Sequence, residues 1–265
     1  MIRTIKERLA AGEEVRVMVM GALATPKLAE IVGLAGWFHG LWIDQEHSAV
    51  PHRDIELIMM ACRASGLDAF VRVPPIDYGT VMRPMEAGAS GVMIAQIRTP
   101  AQVREVLSWA KYPPLGIRGV FMSNYEARYA TAPMKDHLEN ANRDRWFCIQ
   151  IETAEAVECA DEIAAIDGVD HLFVGPSDLS TTLGVPGELL HPKCVDAMEK
   201  VAQAVEAAGK TWGVLARGAE HAARCRELGC RLFSLAGDMD FVNRGMQATR
   251  EMYAKVFVTA QVHRE

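Results

Sequence analysis

The amino-acid sequence predicts an α/β protein built as a single (β/α)8 barrel, the TIM-barrel fold. Apolar runs of strand length alternate with segments of three- to four-residue apolar spacing, as in parallel strands joined by helices. The chain has 265 residues, close to the roughly 250 typical of such a barrel. An open dinucleotide-binding sheet is disfavoured, because the first strand runs into Gly21-Ala22-Leu23-Ala24-Thr25 and lacks a G-x-G-x-x-G fingerprint.

The eight predicted strands follow one another along the chain with a helical segment after each. Two helix starts are clear, at Thr25-Pro26 and Thr99-Pro100, because Thr can cap the free amides and Pro suits the first helical position. Gln102 completes a capping box at the second start. Four glycines are placed to end helices: Gly66, Gly88, Gly209 and Gly229. The strands cover approximately residues 15–22, 38–44, 69–74, 91–96, 147–152, 171–175, 211–216 and 231–236.

The whole chain, residues 1–265, is expected to form one domain. Residues 111–146 interrupt the alternation, since this segment is too long and polar for a simple link between a helix and a strand. We therefore predict a long loop there, and long loops on rigid scaffolds often carry substrate contacts. A C-terminal helix is predicted at about residues 239–256.

Composition excludes several classes of protein. No apolar run reaches the roughly 18 residues of a transmembrane helix, and the first residues lack the apolar core of a secretory signal. We therefore expect a cytoplasmic protein without membrane partners. The net charge is −6 and the basic residues are dispersed, so nucleic acid is not an expected partner. The six cysteines include no C-x-x-C pair and are interpreted as reduced structural thiols.

Carboxylates follow several predicted strands. Asp44, Glu152 and Asp178 each come just after a buried apolar run, and the C-terminal ends of barrel strands converge on one mouth. Two carboxylates without a neighbouring Cys or His cluster suit an oxygen-preferring ion such as Mg²⁺ or Mn²⁺, with Co²⁺ as a further candidate. The alternative for Asp178 is that it caps the helix starting at Leu179. The sequence thus predicts a metal-assisted active site at the mouth.

A histidine and an arginine accompany these acids. Asp44 and His47 share one loop, and a carboxylate that contacts an imidazole can make it a general base, although His47 could also be an ordinary loop residue. Arg72 ends an apolar strand and needs an anion or an acceptor; this could be a substrate oxygen, Glu152 or Glu86. No lysine lies at the C-terminal end of a predicted strand, which disfavours a Schiff-base aldolase.

In combination and order, four stretches of the chain resemble the class II pyruvate aldolases. This resemblance covers roughly residues 15–245 and points to the hydroxy-oxo-heptanedioate aldolase family, which includes dehydro-deoxy-glucarate aldolases and macrophomate synthase. The four stretches are Ile43-Asp44-Gln45-Glu46-His47, Val71-Arg72-Val73-Pro74-Pro75, Tyr112-Pro113-Pro114-Leu115-Gly116-Ile117-Arg118-Gly119, and Gln150-Ile151-Glu152-Thr153 together with Gly175-Pro176-Ser177-Asp178-Leu179.

The resemblance implies a pyruvate site with a divalent metal held by Glu152 and Asp178. Arg72 would contact the keto oxygen and stabilise the enolate, and His47, oriented by Asp44, would move a proton. The substrate-binding set would comprise Arg72, Gln150, the backbone amides of Ser177 and Asp178, and the region of Leu215. The expected partners are small molecules, either pyruvate with an aldehyde or a 4-hydroxy-2-oxo acid. A homo-oligomer, with a hexamer as one form, is expected by the same analogy.

Two departures from the family pattern bear on specificity. Glu86 stands where some relatives carry an aspartate that bridges to a neighbour, and it is counted here among the catalytic candidates. Gln45 stands where many relatives have a small residue. An oxaloacetate decarboxylase or an acyl-CoA thioester lyase would use the same enolate site, and a barrel that binds a small acid without turnover is a third alternative.

Overall fold

The computed structural model describes residues 2–257 and shows a closed barrel of eight parallel strands. Neighbours in sequence are neighbours in the barrel, and β8 pairs with β1 to close it. The predicted (β/α)8 fold is confirmed. The strands are β1 Val15–Met20, β2 Gly40–Asp44, β3 Asp68–Val73, β4 Gly91–Ile94, β5 Trp146–Ile151, β6 His171–Val174, β7 Thr211–Leu215 and β8 Leu232–Gly237.

Twelve α-helices are present in the described part of the chain, and most of them surround the barrel. The predicted caps at Thr25 and Thr99 are confirmed, and Gln102 forms the expected capping box. The helices are α1 Ile5–Ala10, α2 Pro26–Ala35, α3 His52–Ala64, α4 Tyr78–Glu86, α5 Pro100–Ala110, α6 Met134–Asp144, α7 Ala154–Glu158, α8 Ala160–Ala164, α9 Pro176–Thr182, α10 Pro192–Ala207, α11 Ala219–Glu227 and α12 Asp238–Tyr253.

The barrel interior is filled by one face of the strands together with α1. Alternate strand residues point inward, as the two-residue period requires. Because α1 contributes Ile5 and Leu9 to this cluster, it closes the end of the barrel opposite the C-terminal ends of the strands. The cluster consists of Ile5, Leu9, Val15, Val17, Trp42, Phe70, Met93, Trp146, Cys148, Phe173 and Leu232.

The segment predicted as a loop at residues 111–146 is partly helical. It contains a 3₁₀ turn at Arg128–Ala130 and the helix α6. The prediction of a loop there is wrong for α6, because this helix buries only His137 and Ala141 and so shows almost no apolar stripe in sequence. No helix within residues 2–257 combines the length and the apolar character needed to cross a membrane.

Candidate active site

The mouth of the barrel, formed by the C-terminal ends of the strands, holds a buried pair of opposite charges. Asp44 and Arg72 are direct partners in the register of β2 and β3, so their inward side chains meet. Arg72 donates from Nε to Asp44 Oδ1 at 3.0 Å and from Nη2 to Asp44 Oδ2 at 2.7 Å. The guanidinium carbon of Arg72 also lies over the Trp42 ring, 4.9 Å from its centre. The arginine is therefore held from two sides.

This pairing corrects the expected role of Asp44. We expected its carboxylate to orient the His47 imidazole, but Arg72 occupies both carboxylate oxygens. Asp44 reaches His47 only through the backbone, accepting from the His47 amide at 3.3 Å. The physical reason is the strand register, which places Asp44 opposite Arg72 and leaves His47 in the loop beyond the strand.

Glu46 lies between Arg72 and His47. Its Oε2 atom is 3.0 Å from Arg72 Nη1 and 3.7 Å from His47 Nε2. The Glu46 side chain is 8% exposed and the His47 side chain 63% exposed. The buried Glu46 carboxylate thus lies between the Asp44–Arg72 pair and the solvent-exposed His47 imidazole.

On the other side of Arg72, Gln150 connects the arginine to Glu152. Gln150 Oε1 lies 3.5 Å from Arg72 Nη1, and Gln150 Nε2 donates to Glu152 Oε2. The remaining oxygen of Glu152, Oε1, accepts from the Gln96 backbone amide at 2.7 Å. Residue Gln96 has φ +54° and so ends β4 earlier than predicted while pointing its amide at the carboxylate.

The Glu152 carboxylate is fully buried. Burial raises its pKa to about 7, and the nearby negative charges of Glu46 and Asp178 act in the same direction. The hydrogen bond from Gln96 and the charge of Arg72 oppose this shift but do not cancel it. The carboxylate therefore lies in an environment that favours a neutralising proton or cation.

The turn after β6 brings Ser177 and Asp178 to the same mouth. Gly175 permits this approach, because a Cβ atom there would lie 2.6 Å from Gln150 Nε2 and 2.7 Å from Glu152 Oε2. Asp178 is in the first turn of α9 and is exposed. It does not cap this helix, since Gly175 occupies the N-cap position.

Leu215 ends β7 and packs partly buried against the interior cluster. It supplies an apolar surface at the rim of the barrel. The predicted substrate-binding residues are thus all placed at the C-terminal ends of strands or in the turns that follow them.

Glu86 is not part of this group. It is the last residue of α4, and this helix begins after the C-terminal end of β3 and runs back toward the start of β4. Glu86 is half-buried in a groove on the outside of the barrel, near Arg63, Arg83 and Tyr125. Because the helix direction carries it away from the strand ends, the structure places Glu86 outside the mouth of its own chain, and its catalytic role stays a prediction.

Two contacts of the site were missed by sequence reasoning. Glu46 lies in the stretch Ile43-Asp44-Gln45-Glu46-His47. Its spacing of two residues from Asp44 is the signal that could have placed both side chains on the same side of the chain. The Gln96 amide could not have been found, because a positive φ at a glutamine has no sequence signature.

The donor set at the mouth fits an oxygen-preferring divalent ion. Glu152 is buried with a pKa raised partly by neighbouring carboxylates, and Glu46 Oε2, also buried, is paired with Arg72 Nη1 at 3.0 Å. Within residues 2–257 no group of three or more His, Cys, Asp and Glu side chains is arranged to hold a metal. Glu152 and Asp178 are the two carboxylates predicted to hold the ion, and a two-carboxylate site would leave positions for substrate and water.

Comparisons with known proteins agree on one family. A family model described as HpcH/HpaI aldolase/citrate lyase matches residues 16–244. The 5-keto-4-deoxy-D-glucarate aldolase of Salmonella arizonae is 32% identical over 247 residues, covering 92% of this chain and 94% of that protein.

Two solved structures share the barrel. The HpcH/HpaI aldolase from Desulfitobacterium hafniense superposes with a TM-score of 0.89 at 29% identity, covering 99% of this chain and 100% of that one. Macrophomate synthase gives a TM-score of 0.82 at 22% identity, covering 98% of this chain and 94% of that one, which shows the fold alone. The family model and the Salmonella arizonae aldolase do not favour the alternative of a barrel without turnover. The chain therefore belongs to the HpcH/HpaI aldolase/citrate lyase family and is a carbon–carbon lyase.

Proposed function

We propose that this protein is a divalent-metal-dependent class II aldolase that forms and cleaves 4-hydroxy-2-oxo acids through the enolate of pyruvate. The observation that carries the proposal is the chain of contacts His47, Glu46, Arg72, Gln150 and Glu152 across the mouth. It places a fixed cation beside a carboxylate that suits a metal ion. An enolate oxygen needs positive charge where its own charge develops.

Glu152 and Asp178 would hold the ion, and Mg²⁺ or Mn²⁺ suits two carboxylates, with Co²⁺ as a further candidate. When bound, the ion supplies Lewis acidity toward the keto and carboxylate oxygens of pyruvate. Gln150 orients Glu152 from one side and the Gln96 amide from the other. The carboxylate is thereby fixed before any ligand arrives.

Arg72 would face the keto oxygen of the substrate. Asp44 holds the guanidinium in one plane through two hydrogen bonds, so the arginine is oriented in advance and loses little freedom when the enolate forms. The backbone amides of Ser177 and Asp178 in the first turn of α9 are the donors for the pyruvate carboxylate. Leu215 supplies an apolar wall.

His47 would take the proton from the pyruvate methyl group when the enolate forms and give it to the acceptor oxygen when the carbon–carbon bond forms; cleavage runs these transfers in reverse. Its side chain is largely exposed, as a group must be that meets a second substrate entering from solvent. The aldehyde side of the site is therefore the side of the loop that carries His47.

A homo-oligomer is part of the same proposal. The α12 helix extends away from the barrel, and from residue 241 every described position on it is exposed. It nevertheless carries large apolar side chains, and such surfaces on a single chain mark an interface. These side chains include Met239, Phe241, Val242, Met246 and Met252.

The test is product analysis with two substrate classes. Purified protein is given a series of 4-hydroxy-2-oxo acids, and pyruvate release is followed with Mg²⁺ or Mn²⁺ and then with chelator. The proposal expects metal-dependent release that is lost in Glu152→Ala and Asp178→Ala. Turnover of oxaloacetate alone, without cleavage of any hydroxy-oxo acid, would favour the decarboxylase alternative.

A further inference from the structure

The loop that carries His47 is closed by a side chain of its own. It spans residues 45–50, between β2 and α3, and both of its ends are fixed. The Gln45 amide donates to the Arg72 carbonyl at 2.9 Å, which extends the β2–β3 pairing by one residue. The Gln45 side chain then spans the loop, donating from Nε2 to the Val50 carbonyl at 2.9 Å.

Within residues 2–257, the His47 ring makes no hydrogen bond to a side chain. The nearest carboxylate oxygen, Glu46 Oε2, is 3.7 Å from Nε2, which is beyond hydrogen-bond range. The backbone amides of Glu46 and His47 are instead held by Asp44 Oδ1 at 3.0 and 3.3 Å, and Ser48 Oγ donates to the Asp44 carbonyl. The path of the loop backbone therefore decides where the imidazole lies.

Of the contacts that fix this path, the bond between Gln45 and Val50 closes the loop across its full length. A short loop closed by one internal bond loses most of its conformational freedom, and without that bond its far end is free to move. Val50 packs partly buried against the outer core, so the acceptor carbonyl is attached to a rigid part of the molecule. The side-chain amide of Gln45 thus connects the start of the loop to its packed end at Val50.

We propose that Gln45 is a positioning residue that places the His47 imidazole over the mouth by closing the loop at residues 45–50. The inference rests on the proposed function, because it requires His47 to act on the acceptor. Gln45 itself does not touch the reacting atoms, because its side-chain amide donates to the Val50 carbonyl. A misplaced imidazole slows proton transfer without weakening substrate binding, so kcat is expected to fall while KM changes little.

The test is a double-mutant cycle between Gln45 and His47. Gln45→Met keeps the length of the side chain and removes the donor, and Gln45→Glu replaces the donor by an acceptor. Both are expected to lower kcat for hydroxy-oxo acid cleavage on the order of tenfold. In a His47→Ala background, Gln45→Met should have no further effect, because the residue it positions is gone. Gln203→Met, at an exposed position on α10, is the matched control.

Amide hydrogen exchange of residues 46–50 is measured on the same variants, together with their unfolding temperatures. Faster exchange confined to this loop, with an unchanged unfolding temperature, is expected for Gln45→Met. A normal kcat in Gln45→Met, or the same proportional loss with and without His47, would overturn the inference. If His47→Ala itself had normal kcat, the proposed role of His47 would fail, and this outcome is distinguishable because it appears without any change at Gln45.

Discussion

At the scale of single residues, the site depends on how its carboxylates share one arginine. Arg72 is bound by both oxygens of Asp44 and faces Glu46, while Gln150 connects it to Glu152. The sequence identified Asp44, Arg72 and Glu152 because acids and cations at strand ends are unusual among apolar runs. It did not identify the partners, because pairing depends on register between strands that are far apart in sequence.

Arg72→Lys tests the two hydrogen bonds that Arg72 donates to Asp44. Lysine keeps the charge but cannot make two parallel hydrogen bonds to Asp44, so the cation is no longer fixed against the enolate oxygen. We expect kcat/KM for cleavage to fall on the order of a hundredfold or more. Steady-state kinetics measure this, with Arg98→Lys as the control, since Arg98 pairs with Glu155 at a half-exposed position. Wild-type kcat/KM in Arg72→Lys would show that the paired hydrogen bonds between Arg72 and Asp44 are not needed for cleavage.

His171 gives a prediction for stability against pH. It is fully buried at the start of β6, where its Nδ1 lies 2.8 Å from Thr211 Oγ1, and burial lowers its pKa to about 3. Between the ordinary pKa of 6.5 and about 3 the unfolded chain binds a proton that the folded chain does not. Stability contributed by the neutral ring is therefore complete above pH 6.5 and is lost as the pH falls toward 3.

The matched variant is His171→Gln, which can still contact Thr211 but does not titrate. Below pH 6 the wild type should lose up to about 1.4 kcal/mol per pH unit relative to the variant. Denaturant unfolding at several pH values between about 4 and 8 measures the difference. Parallel stability curves for the two proteins would mean that folding does not lower the pKa of His171.

At the scale of elements, the segment at residues 111–146 is held by a buried ion network. Arg118 contacts Glu126 through its two terminal guanidinium nitrogens, Nη1 and Nη2, and Arg145 Nε lies 3.0 Å from the same carboxylate. Both members of the Arg118–Glu126 pair are 0% exposed, and Arg118 also lies 4.6 Å from the Tyr112 ring centre. These contacts indicate that Arg118 fixes the segment.

Breaking this pair should destabilise the protein. Glu126→Gln leaves Arg118 buried without a full counter-charge, and the expected loss is about 3–5 kcal/mol. Thermal unfolding measures it, and Glu155→Gln, which breaks the half-exposed pair with Arg98, should cost less than about 1 kcal/mol. Equal losses in the two variants would contradict a special role for the buried network.

The sequence predicted the strands better than this segment for a physical reason. Strands of a closed barrel are buried on both faces, so they stand out as apolar runs bounded by glycine and proline. The α6 helix buries so few residues that its sequence resembles a polar loop. The position of Glu86 outside the mouth was missed for a related reason, because a resemblance in motif does not show toward which end of the barrel a helix carries its last residue.

At the scale of the whole molecule, one barrel forms the mouth with the proposed site, while α12 carries exposed apolar side chains. If the proposed homo-oligomer forms through this surface, Phe241→Asp combined with Met246→Asp should dissociate it, because a charge replaces an exposed apolar side chain at each position. Light scattering after size exclusion measures the mass, and Arg250→Asp, also exposed on α12, is the control for added negative charge. A wild-type protein that is monomeric at micromolar concentration would contradict this prediction.

The central claim is that the mouth makes the enolate of pyruvate, and deuterium exchange tests it most directly. Pyruvate is incubated with the protein in D₂O, and loss of the methyl signal is followed by proton NMR without any aldehyde. With added Mg²⁺ or Mn²⁺ the account predicts exchange that stops on chelation and is lost in Glu152→Ala and Arg72→Lys. Exchange that continues undiminished in Glu152→Ala and in metal-free buffer would contradict the account.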